Sequence, residues 1–136
     1  MEISEQLTPA VLRRLTDTNE LDEVTRIDLS IDTECVTLTE LGVCLTNLTE
    51  LKLTTPSYVP TLRKLGTLSH LTVLWASAVG LENIDGTSGL TTLRELYISY
   101  NQITDLSPLA YLDQLEVLDI ESNYIESGKR KRSRKS

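Results

Sequence analysis

The feature of this chain that most limits its fold is an apolar pattern that returns at a nearly fixed interval. Leu71, Leu93 and Leu115 lie 22 residues apart, and each is the first residue of the same six-residue pattern. In this pattern the first, fourth and sixth positions are apolar and the other three vary. Two earlier copies open at Leu48 and Val24, at intervals of 23 and 24 residues. A unit this short cannot bury its own apolar side, so successive units must stack to form a core. The period therefore predicts a solenoid of about five units.

In the second half of each pattern, apolar and variable residues alternate, and this period of two is the period of a β-strand. Leu96 and Ile98 are expected to point into the core, and Glu95, Tyr97 and Ser99 to the opposite side of the strand. The return side of the units carries leucines at helical or 3-10 spacing, within residues 38–45, 62–68 and 106–112. This combination predicts an α/β leucine-rich repeat fold, a right-handed superhelix in which every unit adds one strand to a curved parallel sheet.

Two segments flank the repeats and differ from them in character. Residues 1–23 are expected to form an N-terminal helical cap, with Thr8 as the N-cap and Pro9 as the first helical residue. Residues 24–127 are assigned to the leucine-rich repeat domain. Residues 128–136 hold six of the 13 basic residues and none of the 20 acidic ones, and a block of like charges repels itself. We therefore expect a disordered basic tail there.

The charge of the chain is divided between these parts. Residues 1–128 contain seven basic residues against 20 acidic ones, although the whole chain has a net charge of −7. The tail suits an acidic partner, such as an acidic protein segment, a nuclear import receptor or nucleic acid, and the alternative is that it only keeps the chain soluble. Its composition does not choose among these, and no specific nucleic-acid site is predicted.

No catalytic, cofactor-binding or metal-binding pattern is found in the sequence. His70 is the only histidine and falls in a polar return loop, and no Ser or Cys stands in an activating motif. No glycine-rich phosphate loop follows a strand. Cys35 and Cys44 have no histidine nearby and are expected to be buried, reduced thiols rather than zinc ligands. We therefore expect a chain that is not an enzyme and needs no cofactor.

The sequence also bears on location. No apolar run is long enough for a membrane helix, and residues 1–5 do not begin a secretory signal pattern. We expect a cytoplasmic protein that makes no membrane contact.

The residues that change from unit to unit lie on the concave face of the predicted sheet. Alignment by the first apolar residue gives a central row of Asp28, Lys52, Trp75, Tyr97 and Asp119. Trp75 and Tyr97 are thus neighbours on an exposed face, with Tyr100 one step along. The chain has one Trp and no Phe, so large aromatic residues outside the core favour a contact surface. The alternative is cross-strand packing that stiffens the sheet.

These positions define the candidate protein-binding residues. They are Lys52, Trp75, Glu95, Tyr97, Tyr100, Asp119 and Glu121. Because three of them are acidic and lie toward the last strands, the partner is expected to offer a basic or amide-rich segment around an apolar anchor.

The bends after the strands are expected to differ along the chain. Asn101 and Asn123 occupy the slot in which most leucine-rich repeats place an Asn whose side chain bonds backbone groups, and Asp32 is a substitute in the first unit. Pro56 and Val79 have no side chain that can make those bonds. The second and third units should therefore bend differently.

The repeats also carry a family resemblance that is more specific than their leucines. The stretches concerned are 71–75 (LTVLW), 80–86 (GLENIDG), 93–109 (LRELYISYNQITDLSPL) and 115–123 (LEVLDIESN). They resemble the leucine-rich repeat-containing protein 56 family, a ciliary family of the 22-residue repeat class. Earlier segments within residues 7–9, 31–33 and 62–66 are similar as well, so the resemblance spans roughly residues 7–127.

The resemblance implies a non-enzymatic adaptor that acts in the assembly or intraflagellar transport of axonemal outer dynein arms. It implies a location in the cilium or flagellum and dynein arm or transport components as partners. Two alternatives remain open, since all three use a strand surface to hold a protein. One is a regulatory subunit of a protein phosphatase, and the other is a nuclear ribonucleoprotein scaffold that uses the basic tail.

Overall fold

The computed structural model describes residues 2–3, 5–65 and 67–125. The predicted basic tail, 128–136, lies outside the described residues, as do the last two residues of the predicted repeat domain. The described part contains a parallel sheet of six strands in sequence order. They are β1 (Glu2–Ile3), β2 (Arg26–Ile31), β3 (Glu50–Leu53), β4 (Val73–Trp75), β5 (Glu95–Tyr97) and β6 (Val117–Asp119).

The sheet has the register that the sequence period requires. The second apolar residues of the five units pair across neighbouring strands as Ile27, Leu51, Leu74, Leu96 and Leu118. All of these side chains are buried in one continuous apolar core. The prediction of a leucine-rich repeat fold with a parallel sheet is therefore confirmed.

The chain returns from strand to strand through short helical turns. A helix, α2 (Thr39–Cys44), follows β2, and 3-10 turns follow the next three strands at Arg63–Leu65, Thr87–Gly89 and Ser107–Tyr111. Gly86 allows two returns to approach closely, because a Cβ there would lie 2.6 Å from the carbonyl oxygen of Leu62. Its φ of 100° is also a conformation that other residues rarely adopt.

The N-terminal segment is partly as predicted. Helix α1 (Pro9–Thr16) begins as expected, with the Thr8 hydroxyl accepting a hydrogen bond from the Val11 amide at 3.3 Å. The two residues of β1 were not predicted, because two residues are too few to show a period. They pair in parallel with the end of β2. The segment before the repeats therefore contains a strand as well as the helix, and the limits of the cap remain a prediction.

The bends after the strands use two different solutions. The Asn101 side chain accepts from the amides of Val79 and Leu81 at 3.0 Å each, and it donates to backbone carbonyls of its own and the preceding unit. One unit later, Asn123 accepts from the Ile103 amide at 3.0 Å and donates to backbone carbonyls of its own and the preceding unit. In the second unit, where Pro56 holds the slot, the Ser57 hydroxyl accepts from the Ile31 amide at 2.9 Å. The expected difference is confirmed at Pro56. It is wrong at Val79, because the third unit bends through a left-handed residue, Ala78 at a φ of 55°, as the fourth and fifth units do at Tyr100 and Ser122.

Candidate protein-binding surface

The outward residues of strands β2 to β6 form the surface that we call the concave face. At its centre the rings of Trp75 and Tyr97 are stacked, with centroids 3.9 Å apart and an interplanar angle of 10°. The two residues are register partners on β4 and β5, and equivalent residues of neighbouring parallel strands lie about 4.8 Å apart. Both side chains are half-buried. Aligning the repeats of the chain with one another therefore predicted correctly that these two residues are neighbours.

On the side of β3, the stack is held by charged residues of both signs. The Lys52 ammonium lies 5.8 Å from the centroid of the Trp75 ring, which is within cation–π range. The Trp75 ring N–H donates to a Glu50 carboxylate oxygen at 3.4 Å, and the same oxygen lies 3.9 Å from Arg26. Glu50 was not among the predicted site residues. Its signal was present, because it occupies the same row as Glu95 two strands away.

On the side of β6, the surface is acidic. The Tyr97 hydroxyl donates to a Glu95 carboxylate oxygen at 2.7 Å. This hydrogen bond is the largest of the causes that raise the pKa of Tyr97 above its ordinary value of 10.0, followed by burial and by the charges of Glu95 and Asp119. The hydrogen bond from the Tyr97 hydroxyl holds the Glu95 carboxylate beside the ring.

The remaining acidic residues of this side lie on and just after β6. Asp119 is the register partner of Tyr97, and one of its carboxylate oxygens accepts from the Glu121 amide at 3.1 Å. In the described part of the chain, neither residue forms an ion pair with a Lys or Arg, and the same holds for Glu95. Arg94, which precedes Glu95 in the sequence, pairs with Glu116 at 2.6 Å where the strands begin.

Tyr100 does not join the stack. It lies in the bend beyond β5 with a φ of 58°, and its side chain is 62% exposed. Among the described residues its ring contacts neither Trp75 nor Tyr97. Tyr100, expected one step along from the pair, lies apart from it because the strand alternation ends at Ser99, whose hydroxyl donates to Ser77 at 3.0 Å.

Other reactive side chains do not gather into a site. His70 is exposed in a turn, 3.1 Å from the Thr46 carbonyl oxygen. Both cysteines are free, but Cys35 is exposed in the turn after β2, so the expectation of two buried thiols is wrong for this residue. Cys44 is half-buried, and burial is the main cause that raises the pKa of its thiol. Within residues 2–3, 5–65 and 67–125, no cluster of three or more metal-binding side chains is found.

The same described ranges contain no helix with the length and apolar character needed to cross a membrane.

Stacked units of strand and short return, with a continuous leucine core and Asn side chains at the bends, define a leucine-rich repeat protein, and the chain belongs to this class. Residues 91–127 match the family model for Leucine Rich repeats (2 copies). Among solved structures, the chain is similar to an internalin C2 from Listeria monocytogenes, with a TM-score of 0.55 and 29% identity. That likeness covers 77% of this chain and 56% of the internalin chain.

The comparison with known sequences is more specific. The chain is similar to leucine-rich repeat-containing protein 56 of mouse, at 46% identity over 91% of this chain and 22% of the mouse protein. The human protein of the same name is 47% identical over 91% of this chain and 23% of its own length. The family resemblance that the repeat stretches indicated is thereby confirmed. The chain spans about a fifth of the length of these relatives.

Proposed function

We propose that this chain is a non-enzymatic protein-binding adaptor that holds its partner against the concave face. The observation that carries the proposal is the stacked pair of Trp75 and Tyr97, which stays half-exposed while leucines fill the core. Large, rigid aromatic side chains dominate the binding energy of protein interfaces because they bury much area with few rotatable bonds.

The alternative, that the pair only stiffens the sheet, explains fewer features of this surface. The strands are already joined by register pairing along their length, and the leucines directly beneath the pair, Leu74 and Leu96, are 0% exposed. Lys52 and Asp119 flank the stack, and both carry a charge. An aromatic centre with a charged rim is the composition of a protein interface.

The cellular role that we infer rests on the similarity to leucine-rich repeat-containing protein 56 over 91% of the chain. We infer that the partner belongs to the machinery that assembles axonemal outer dynein arms or carries them by intraflagellar transport in the cilium or flagellum. The candidate binding residues remain Lys52, Trp75, Glu95, Tyr97, Tyr100, Asp119 and Glu121. Residues 128–136 provide a second attachment for an acidic partner.

Proximity labelling in cells that build motile cilia tests this function. The chain fused to a labelling enzyme should label dynein arm and transport components, and Trp75→Ala should lose them. Tyr111→Ala is the matched control, since Tyr111 is a 67% exposed aromatic residue on the return side, away from the concave face. Phosphatase catalytic subunits or ribonucleoproteins as the main neighbours would favour one of the two alternatives. Unchanged labelling with Trp75→Ala would contradict the role of the concave face.

A further inference from the structure

The aromatic stack on the concave face is open at one end. Trp75 covers one face of the Tyr97 ring, and the strand order β4, β5, β6 directs the other face toward β6. The register partner of Tyr97 on that strand is Asp119. Because an Asp side chain is much shorter than a Tyr side chain, its carboxylate lies near the sheet while the ring extends beyond it. The open ring face therefore stands beside an acidic floor.

The two ends of the stack differ in charge. At the β3 end, the chain supplies its own cation, with the Lys52 ammonium 5.8 Å from the Trp75 ring centroid. At the β6 end, the nearby charges are the carboxylates of Glu95, Asp119 and Glu121, and no described Lys or Arg forms an ion pair with any of them. The surface is thus complementary to a cation at the end where the described residues provide none.

We propose that this end of the stack binds an arginine side chain of the partner, between the open face of Tyr97 and the carboxylate of Asp119. The inference rests on the proposed function and names the side chain that the concave face recognises. A guanidinium group is planar, so it stacks on an aromatic ring, and its forked N–H donors match a carboxylate. Lysine fits less well, because its ammonium is a strongly hydrated point charge without a flat face.

The neighbouring residues complete the site. Val117 lies on the same face of β6 two residues before Asp119 and is half-buried, so it offers an apolar contact for the methylene stem of the arginine. Glu95, held beside the ring by the Tyr97 hydroxyl at 2.7 Å, adds negative charge at the edge of the stack. The Asp119 oxygen that accepts from the Glu121 amide is fixed in place, which preorients this carboxylate.

The test is an NMR titration of the isotopically labelled full chain with three synthetic nonapeptides. The peptides are identical except for a central residue that is Arg, Lys or citrulline, the neutral counterpart of Arg, in a background of Leu, Ser and Gly. The Arg peptide should shift the Tyr97 ring and Asp119 amide signals, with a Kd at least about tenfold lower than that of the citrulline peptide, which corresponds to about 1.4 kcal/mol. The Lys peptide should fall between them.

Protein variants separate the site from general electrostatics. Asp119→Asn should weaken binding of the Arg peptide about tenfold. Asp113→Asn removes the same charge from an exposed turn before β6 and should leave the Kd unchanged. Tyr97→Phe should keep binding, since the ring face remains, and Tyr97→Leu should lose it.

Several results would overturn the inference. Equal Kd values for the Arg and citrulline peptides, no binding up to millimolar concentration, or an equal loss with both Asp variants would each remove the arginine site. Arginine binding that emerges only after residues 129–136 are deleted would show that the chain's own basic segment, not a partner, is the source. If Trp75→Ala abolishes partner capture while Asp119→Asn and citrulline have no effect, the proposed function stands and the arginine site does not.

Discussion

On strands β2 to β6, the residues that point into the core are nearly the same in every unit, whereas the residues that point outward change from unit to unit. Inward, the second apolar position is Ile27 once and leucine four times, and from Leu51 to Leu96 these side chains are 0% exposed. Outward, the central row reads Asp28, Lys52, Trp75, Tyr97 and Asp119. Repetition follows from stacking, because every unit must fill the same space beside its neighbours. Departure from repetition marks positions that packing does not determine, and these are where a partner can be recognised.

The largest effect should follow a change in the inward row. Leu96→Ala should lower the free energy of unfolding by roughly 2–5 kcal/mol, because it leaves a cavity between neighbouring units. Urea denaturation of the purified chain measures this change. Trp75→Ala on the adjacent strand is the comparison, and it should cost about 1 kcal/mol, the range of a half-exposed aromatic contact. Equal losses for the two variants would mean that the aromatic pair belongs to the core.

The next prediction compares the bend held by Asn101 with the bend held by Ser57. Asn101→Ala should destabilise the chain by about 3 kcal/mol, because the buried amides of Val79 and Leu81 lose their acceptor and each such loss costs roughly 1–3 kcal/mol. Ser57→Ala removes the acceptor of one amide, that of Ile31, and should cost about half as much. Denaturation of both variants beside the parent chain measures the difference. A larger loss for Ser57 would reverse our view of which bend depends more on its side chain.

The sequence predicted those parts of the fold that a period or a local rule determines. The register of the strands, the start of α1 at Thr8 and the bends at Asn101 and Asn123 all follow from spacing or from hydrogen-bonding capacity. β1 was missed because its two residues are too few to show a period. The exposure of Cys35 depends on how one turn lies on its neighbours, which no pattern encodes.

For the concave face, the sequence likewise predicted only what strand alternation determines. Alternation along the strands placed Trp75 beside Tyr97, since register fixes which residues are neighbours. It did not show that Glu50 accepts from the Trp75 ring, because that contact depends on side-chain rotamers. Nor did it show that Tyr100 leaves the strand, because its positive φ belongs to the bend.

A smaller effect concerns ionisation on the outward row. Glu95→Gln should lower the pKa of Tyr97 toward 10.0, because it removes the carboxylate that is the main cause of the raised value. In the parent chain, the folded state favours the neutral phenol. The contribution of Tyr97 to stability is therefore complete below the pKa that it has in the unfolded chain. It is lost as pH rises through the higher pKa that it has in the folded chain. NMR titration of the Tyr97 ring carbon follows the shift, and an unchanged pKa in the variant would show that burial, not Glu95, is its cause.

The central claim is that the outward row binds while the inward row folds, and the affinity of Trp75→Ala for the partner captured in cells tests it most directly. Calorimetric titration should show a loss of about 2 kcal/mol or more, or roughly 30-fold in Kd, in a variant whose urea transition shows that it remains folded. Tyr111→Ala should bind like the parent chain. An unchanged affinity for folded Trp75→Ala would contradict the account.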